Sequence, residues 1–151
     1  MTSGIRRMER ECLALQTAMT ARAVARLYGA TMRSLGVPTT QFHLLGALAL
    51  HPEAGMAELA ELLVLDRSTL VRNLKLLERN RLIVSERPAG SRSKRFALTA
   101  AGHAIIESAA PIWEEAHGRL LAALGTDGLA EARAALERLR IAAREAGPKE
   151  D

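Results

Sequence analysis

Between Asp66 and Arg95 the chain collects side chains suited to binding anions. Nine cations, Arg67, Arg72, Lys75, Arg79, Arg81, Arg87, Arg92, Lys94 and Arg95, stand against three carboxylates, Asp66, Glu78 and Glu86. The segment is +6 in a chain of net charge +4, so the remainder carries −2. A basic segment on an otherwise slightly acidic chain is what a phosphate-binding, counterion-releasing surface requires. The residue types also suit base recognition. Arg72 can address guanine bidentately, Asn73 can pair with adenine, and Ser68 or Thr69 can bond to phosphate or base, with Arg67 and Lys75 adding charge beside them.

Whether those groups act together depends on the backbone that carries them. Leu65 to Arg81 reads as one helix. Asp66 is a good N-cap, able to accept from the amides of Ser68 or Thr69, and Asn80 is the expected stop because Asn tolerates a left-handed backbone. At 100° per residue Leu70, Leu74 and Leu77 share one stripe with Val71 at its edge, while Ser68, Arg72, Lys75 and Arg79 fall almost opposite. One face packs and the other is left to meet an anion. An ordinary amphipathic surface helix has the same pattern, so the neighbouring elements decide between the readings.

Upstream, MAELAELL reads as a short helix with Leu59, Leu62 and Leu63 on its apolar face, and only Val64 and Leu65 separate it from the Asp66 cap. Two helices joined so tightly form a helix-turn-helix, whose second helix offers its N-terminal side chains to the major groove. Downstream, Leu82 to Arg87 and Arg95 to Thr99 are rich in β-formers and are joined by PAGSRSK, a β-hairpin with a basic tip. This is a wing. Arg92 is placed to enter an adjacent minor groove, and Lys94 and Arg95 to hold phosphates. The expected fold class is mainly α with a small β-hairpin, a winged helix-turn-helix.

The flanks read as long helices. From about Glu9, Leu13, Leu15, Met19, Val24, Leu27, Met32 and Leu35 recur at near-helical spacing until Gly36 and Pro38, predicting one continuous helix about 40 Å long. Thr39 or Thr40 is the expected cap of a leucine-rich helix that ends at His51-Pro52. After the wing, Thr99 caps a helix that Pro111 should kink or divide. Beyond a turn at Gly125-Thr126-Asp127-Gly128, Leu129, Ala132, Leu136, Leu139 and Ala143 form a seam that suits packing within the chain or against a second copy.

Composition narrows the class. A chain of 151 residues, 48% apolar and only 3% aromatic, suits one mainly helical domain. No apolar run approaches the roughly 18 residues of a membrane span, and MTSGIRRMERE lacks the apolar core of a leader, so no membrane association and a cytoplasmic location are expected. Cys12 is the single cysteine and cannot form an internal disulfide; an inert thiol and a reactive one are both open. His43, His51, His103 and His117 have no partners at metal-ligand spacing, so neither metal nor cofactor is expected. No glycine-rich phosphate loop, G-x-S-x-G or H-E-x-x-H occurs, and Glu114 and Glu115 point in different directions on a helix, which argues against an enzyme.

In their order, TTQFHLLGAL, AELAELLVLDRSTLVRNLKLLERNRLI, the basic wing and FALTAAG resemble the MarR family of winged-helix transcriptional regulators over nearly the whole chain. The resemblance implies a single domain, residues 1–151, with dimerisation helices at 1–36 and 100–147, the winged helix-turn-helix unit at 38–99 and a tail at 148–151. It further implies a homodimer on a pseudo-palindromic double-stranded DNA operator, often a repressor released by a small molecule, in some relatives an aromatic acid, or by an oxidant.

Relatives that bind aromatic acids use a pocket between the dimer helices and the winged unit. Tyr28, Phe42, His43 and Trp113 can approach such a pocket or belong to the core. Relatives that sense oxidants carry a cysteine in the first helix; Cys12 lies on the corresponding helix, although the family position falls nearer Ala14. Three residues depart from the pattern. The usual wing Asp-x-Arg reads Gly90-Ser91-Arg92, Val64 stands for the glycine common in the turn, and Asn80 for the one after the recognition helix. Val64 is expected to take a turn with negative φ. A winged helix used only for protein contacts, its basic face incidental, is the remaining alternative to operator binding.

Overall fold

Leucines from three successive helices make the centre of the fold. Leu44, Leu45 and Leu48 of α3 (Thr39–Leu50), Leu59 of α4 (Met56–Leu63) and Leu70, Leu74 and Leu77 of α5 (Arg67–Arg79) are buried in one cluster. Ile83 of β1 (Ile83–Glu86) and Phe96 of β2 (Arg95–Leu98) close it from the hairpin side. Each such side chain contributes about 1.5 to 3 kcal/mol of burial. The strands run antiparallel with Ile83 opposite Leu98 and Glu86 opposite Arg95, so Phe96 faces the core while Arg95 and Ala97 face outward. The computed structural model describes residues 2–87, 90 and 94–147.

The chain divides into two compact units, residues 1–113 and 114–151. The first holds α1 (Thr2–Glu11), α2 (Leu13–Met32), a 3-10 turn (Arg33–Leu35), the winged helix-turn-helix and the opening of α6 (Ala100–Ala146). Within it a second apolar cluster joins Met32, Leu35 and Ala109 with Tyr28, Val37, Phe42 and Ile112. The second unit holds the longer remainder of α6, on which Leu121, Leu124, Leu136 and Ile141 are exposed.

Both helices of the helix-turn-helix end in the same hydrogen-bond pattern. At the end of α4, Leu65 N donates to Ala60 O at 2.9 Å and Val64 N to Glu61 O at 3.2 Å. At the end of α5, Leu82 N donates to Leu77 O at 3.0 Å and Arg81 N to Glu78 O at 2.9 Å. These are Schellman closures, which require a left-handed residue. Val64 (φ 52°) and Arg81 (φ 58°) supply it without being glycine. Two expectations are corrected here. Val64 does not take a negative φ, and Asn80 (φ −82°) is not the left-handed residue, because the closure places that conformation one position later.

Thr99 then joins three elements. Its hydroxyl donates to Arg81 O at 2.8 Å, with Leu82 O at 3.1 Å as an alternative acceptor, and accepts from Gly102 N at 3.1 Å as the cap of α6. Gly102 lies hard against the same corner. A Cβ there would stand 2.2 Å from Leu82 O and 3.1 Å from Leu98 Cδ2.

Other expectations move as well. The long first helix is broken at Cys12 (φ −72°, ψ 101°), leaving α2 about 30 Å long; Gln16 Nε2 reaches back across the break to Glu9 O at 3.2 Å. Neither Thr39 nor Thr40 caps α3, whose N-cap is Pro38 with no side-chain bond. Pro111 neither divides α6 nor leaves helical backbone angles, because its fixed φ suits a helix and only one donor is lost. The interruption falls instead at Gly125 (φ 71°, ψ 170°), and the expected four-residue turn reduces to that one residue.

Two substitutions test this backbone. Gly102→Ala forces a methyl into a backbone oxygen and should lower stability by about 2 kcal/mol. Val64→Gly should raise it by about 1 kcal/mol by relieving the left-handed cost of a β-branched residue. Denaturant-unfolding midpoints measure both.

Candidate nucleic-acid interface

The polar face of α5 is set from its first residue. Asp66 Oδ1 accepts from Ser68 Oγ at 2.5 Å and from Thr69 N at 2.8 Å. The Ser68 hydroxyl, followed by the Thr69 bonds, holds this exposed carboxyl well below the usual carboxylate range. Donation to Asp66 also occupies the Ser68 proton. A phosphate oxygen can only accept, so Ser68 must release the cap to donate to one.

Arg67, Ser68, Arg72, Lys75 and Arg79 are exposed and, with Val71 and Leu76, line one shallow depression along α5. Among the described residues, none of Arg67, Arg72, Lys75 and Arg79 enters an ion pair. Arg72 and Lys75 are three apart, Lys75 and Arg79 four, so these neighbours repel each other on the helix. The fold gains nothing from that stripe. An external polyanion would.

Asn73 and Thr69 are placed differently from their neighbours. Asn73 is only 8% exposed, and its Nδ2 donates to Thr69 O at 2.9 Å. One residue beyond Arg72 is a turn of 100°, which carries Asn73 to the flank of the leucine stripe. In this conformation its amide is largely buried and bonded to the helix backbone, unlike the exposed side chains of Arg72 and Lys75. Thr69 is half-buried and supplies the capped amide.

At the wing, Lys94 is exposed, and Arg92 lies outside the described residues. Gly90 has φ 79°, a conformation that glycine takes without strain. Arg95 is not an open cation: its Nη1 donates to Glu53 Oε2, from the turn between α3 and α4. Sequence reading missed Glu53. It stands 42 residues before Arg95, and no local pattern connects the two.

The residues considered for an effector are dispersed in character. Tyr28 and Phe42 pack on the Met32, Leu35 and Ala109 cluster. The His43 ring lies 6.3 Å from that of Phe42, tilted by 57°, and desolvation lowers its pKa. Trp113 is 44% exposed. Cys12 is half-buried at the break before α2. Among the described residues no three His, Cys, Asp or Glu side chains gather as a metal site, and no helix is long and apolar enough to cross a membrane.

A helix-turn-helix with a buried leucine stripe, an open basic face and a hairpin beside it defines a winged-helix DNA-binding protein. The MarR family profile matches residues 35–92. The M. tuberculosis transcriptional regulator MosR, solved in complex with DNA, is 32% identical, with a TM-score of 0.80 over 89% of this chain and 98% of that one.

Two further structures share the fold at lower identity. A mutant of E. coli MarR complexed with operator DNA is 23% identical, with a TM-score of 0.78 over 88% of this chain and 96% of that one. PcaV from Streptomyces coelicolor, in complex with its natural ligand, is 22% identical, with a TM-score of 0.80 over 89% and 96%. No curated protein sequence gives a significant match. The chain belongs to the MarR family and is a DNA-binding transcriptional regulator, not an enzyme.

The cap gives a pH signature. Because the folded Asp66 carboxyl titrates below its ordinary 3.8, its stabilising contribution is complete above that value and lost as the pH falls below it. Asp66→Ala should therefore lower the melting temperature at neutral pH, and the gap to wild type should begin to narrow only once the pH falls below 3.8. Thermal melts across that range measure it.

Proposed function

We propose that the protein is a homodimeric repressor that binds a pseudo-palindromic operator and is released by a small-molecule effector, acting in the cytoplasm. The observation that carries this reading is the row of cations, Arg67, Arg72, Lys75 and Arg79, that enter no ion pair among the described residues and lie opposite the buried leucines of α5. In this proposal Arg72 and Ser68, with Arg67, read base edges from the N-terminal half of α5, while Lys75 and Lys94 hold phosphates. Arg92 serves the adjacent minor groove.

Dimerisation through the terminal helices of a single MarR-like domain, residues 1–151, is supported by exposed apolar side chains on each. These include Leu13, Met19 and Val24 on α2, and Leu124, Leu136 and Ile141 on α6. A two-fold dimer would suit half-sites about 34 Å apart on one DNA face. For the effector we favour an aromatic acid near Tyr28 and Phe42, helped by His43 and Trp113. Support comes from the apolar cluster around the first two.

Footprinting on the DNA beside this gene, with and without candidate aromatic acids, tests the whole reading: a protected palindrome that is released by one of them is the expected result. On that site Arg72→Ala should cost about 1 to 3 kcal/mol and relax preference at one base position. Lys75→Ala should weaken all sequences alike and reduce the salt slope by about 1. An Arg72→Ala variant with unaltered sequence preference would remove Arg72 as a base reader.

A further inference from the structure

We propose that Glu53 acts as a charge brake on DNA binding: by holding the Arg95 guanidinium it withdraws one cation from the phosphate-binding set. The inference rests on the DNA-binding reading of the basic segment.

Among the described residues, Arg95 is the only cation between Asp66 and Arg95 that enters an ion pair. Arg67, Arg72, Lys75 and Arg79 are open along α5, and Lys94, the residue before Arg95, is exposed. Arg95 itself stands between two acids. Glu86 is its register partner across the hairpin, and Glu53 reaches it from the turn before α4. Among the described residues, a basic segment with no other ion pair is thus neutralised at one point, by a carboxylate from a different element.

Stability does not account for that pairing. The Arg95 and Glu53 side chains are 48% and 78% exposed, and an exposed ion pair contributes little. The hairpin is held without it, through the strand register and through Phe96 in the core. Electrostatics of binding does account for it. Each phosphate neutralised by a cation releases counterions and strengthens binding to every DNA sequence alike. By neutralising Arg95, a carboxylate at the foot of the wing removes one such contact. Binding then depends more on the base contacts of α5 and less on the phosphate backbone.

The test compares wild type, Glu53→Gln, Arg95→Ala and the double variant on a labelled random-sequence duplex and on the operator. Salt is varied from about 50 to 200 mM, and circular dichroism confirms that each variant is folded. Glu53→Gln frees Arg95, so affinity for both duplexes should rise about 5- to 10-fold near the low-salt end, and the log–log salt slope should steepen by about 0.9. Arg95→Ala should leave the wild-type slope unchanged, and in the double variant the gain should vanish.

Three results would overturn the proposal. Unchanged or weaker binding by Glu53→Gln would mean that the pair is only structural or lies away from the DNA. A flatter slope for Arg95→Ala alone would mean that Arg95 leaves Glu53 for phosphate in the complex. A gain that survives in the double variant would mean that Glu53 acts without Arg95. Wild-type protein that binds neither duplex at low salt would overturn the nucleic-acid interface itself, whereas wild-type binding with an unresponsive Glu53→Gln overturns the brake alone.

Discussion

Burial of Leu70, Leu74 and Leu77 on one stripe of α5 is the constraint on which the rest of the structure depends. A helix carrying repelling cations on its outer face would gain little by itself. The leucines anchor it against α3 and α4, and the hairpin closes the same cluster with Ile83 and Phe96. Once the stripe is buried, the orientation of every other residue on α5 follows from the 100° step. Arg72, Lys75 and Arg79 must point outward, and Asn73, one step from Arg72, must turn toward the core. Exposure of the basic face is therefore a consequence of packing.

The joints around α5 show how tightly that placement is specified. Its start is capped by Asp66; its end and the end of α4 are closed by left-handed residues that are not glycine. Left-handed backbone costs about 1 to 2 kcal/mol for such residues, and the closures offset it by satisfying carbonyls that would otherwise be left open. Thr99 ties the exit of α5, the return of the wing and the first turn of α6 at one corner, where Gly102 leaves no room for a side chain. The wing is thus fixed at its base to the helix it accompanies, and the two basic surfaces share one support.

Charge on this surface is distributed unevenly. Among the described residues the cations of Arg67, Arg72, Lys75 and Arg79 along α5 enter no ion pair, which keeps them available, whereas at the foot of the wing Arg95 is paired with Glu53 from a remote turn. Phosphate attraction alone would favour all nine cations being open, since each adds affinity. A regulator must also leave the wrong sites, and sequence-independent affinity works against that. The pairing of Arg95 is a restraint on the same electrostatics that the open face of α5 supplies.

Much of this was legible in the residues. The period of Leu70, Leu74 and Leu77, the cap chemistry of Asp66, the β-formers around the basic loop and the order of the segments determined the winged helix-turn-helix and the basic face of α5, because each is a local relation within about a dozen residues. The break at Cys12, the uninterrupted course through Pro111 and the left-handed turns at Val64 and Arg81 were not legible, because residue preference there is weak and closure geometry decides. The inward turn of Asn73 lay within reach of the helical period but needed the width of the buried stripe. Which cations stay open was decided by tertiary structure alone. Glu53 and Arg95 meet across 42 residues, and no local periodicity records a contact that exists only once the core has drawn their elements together.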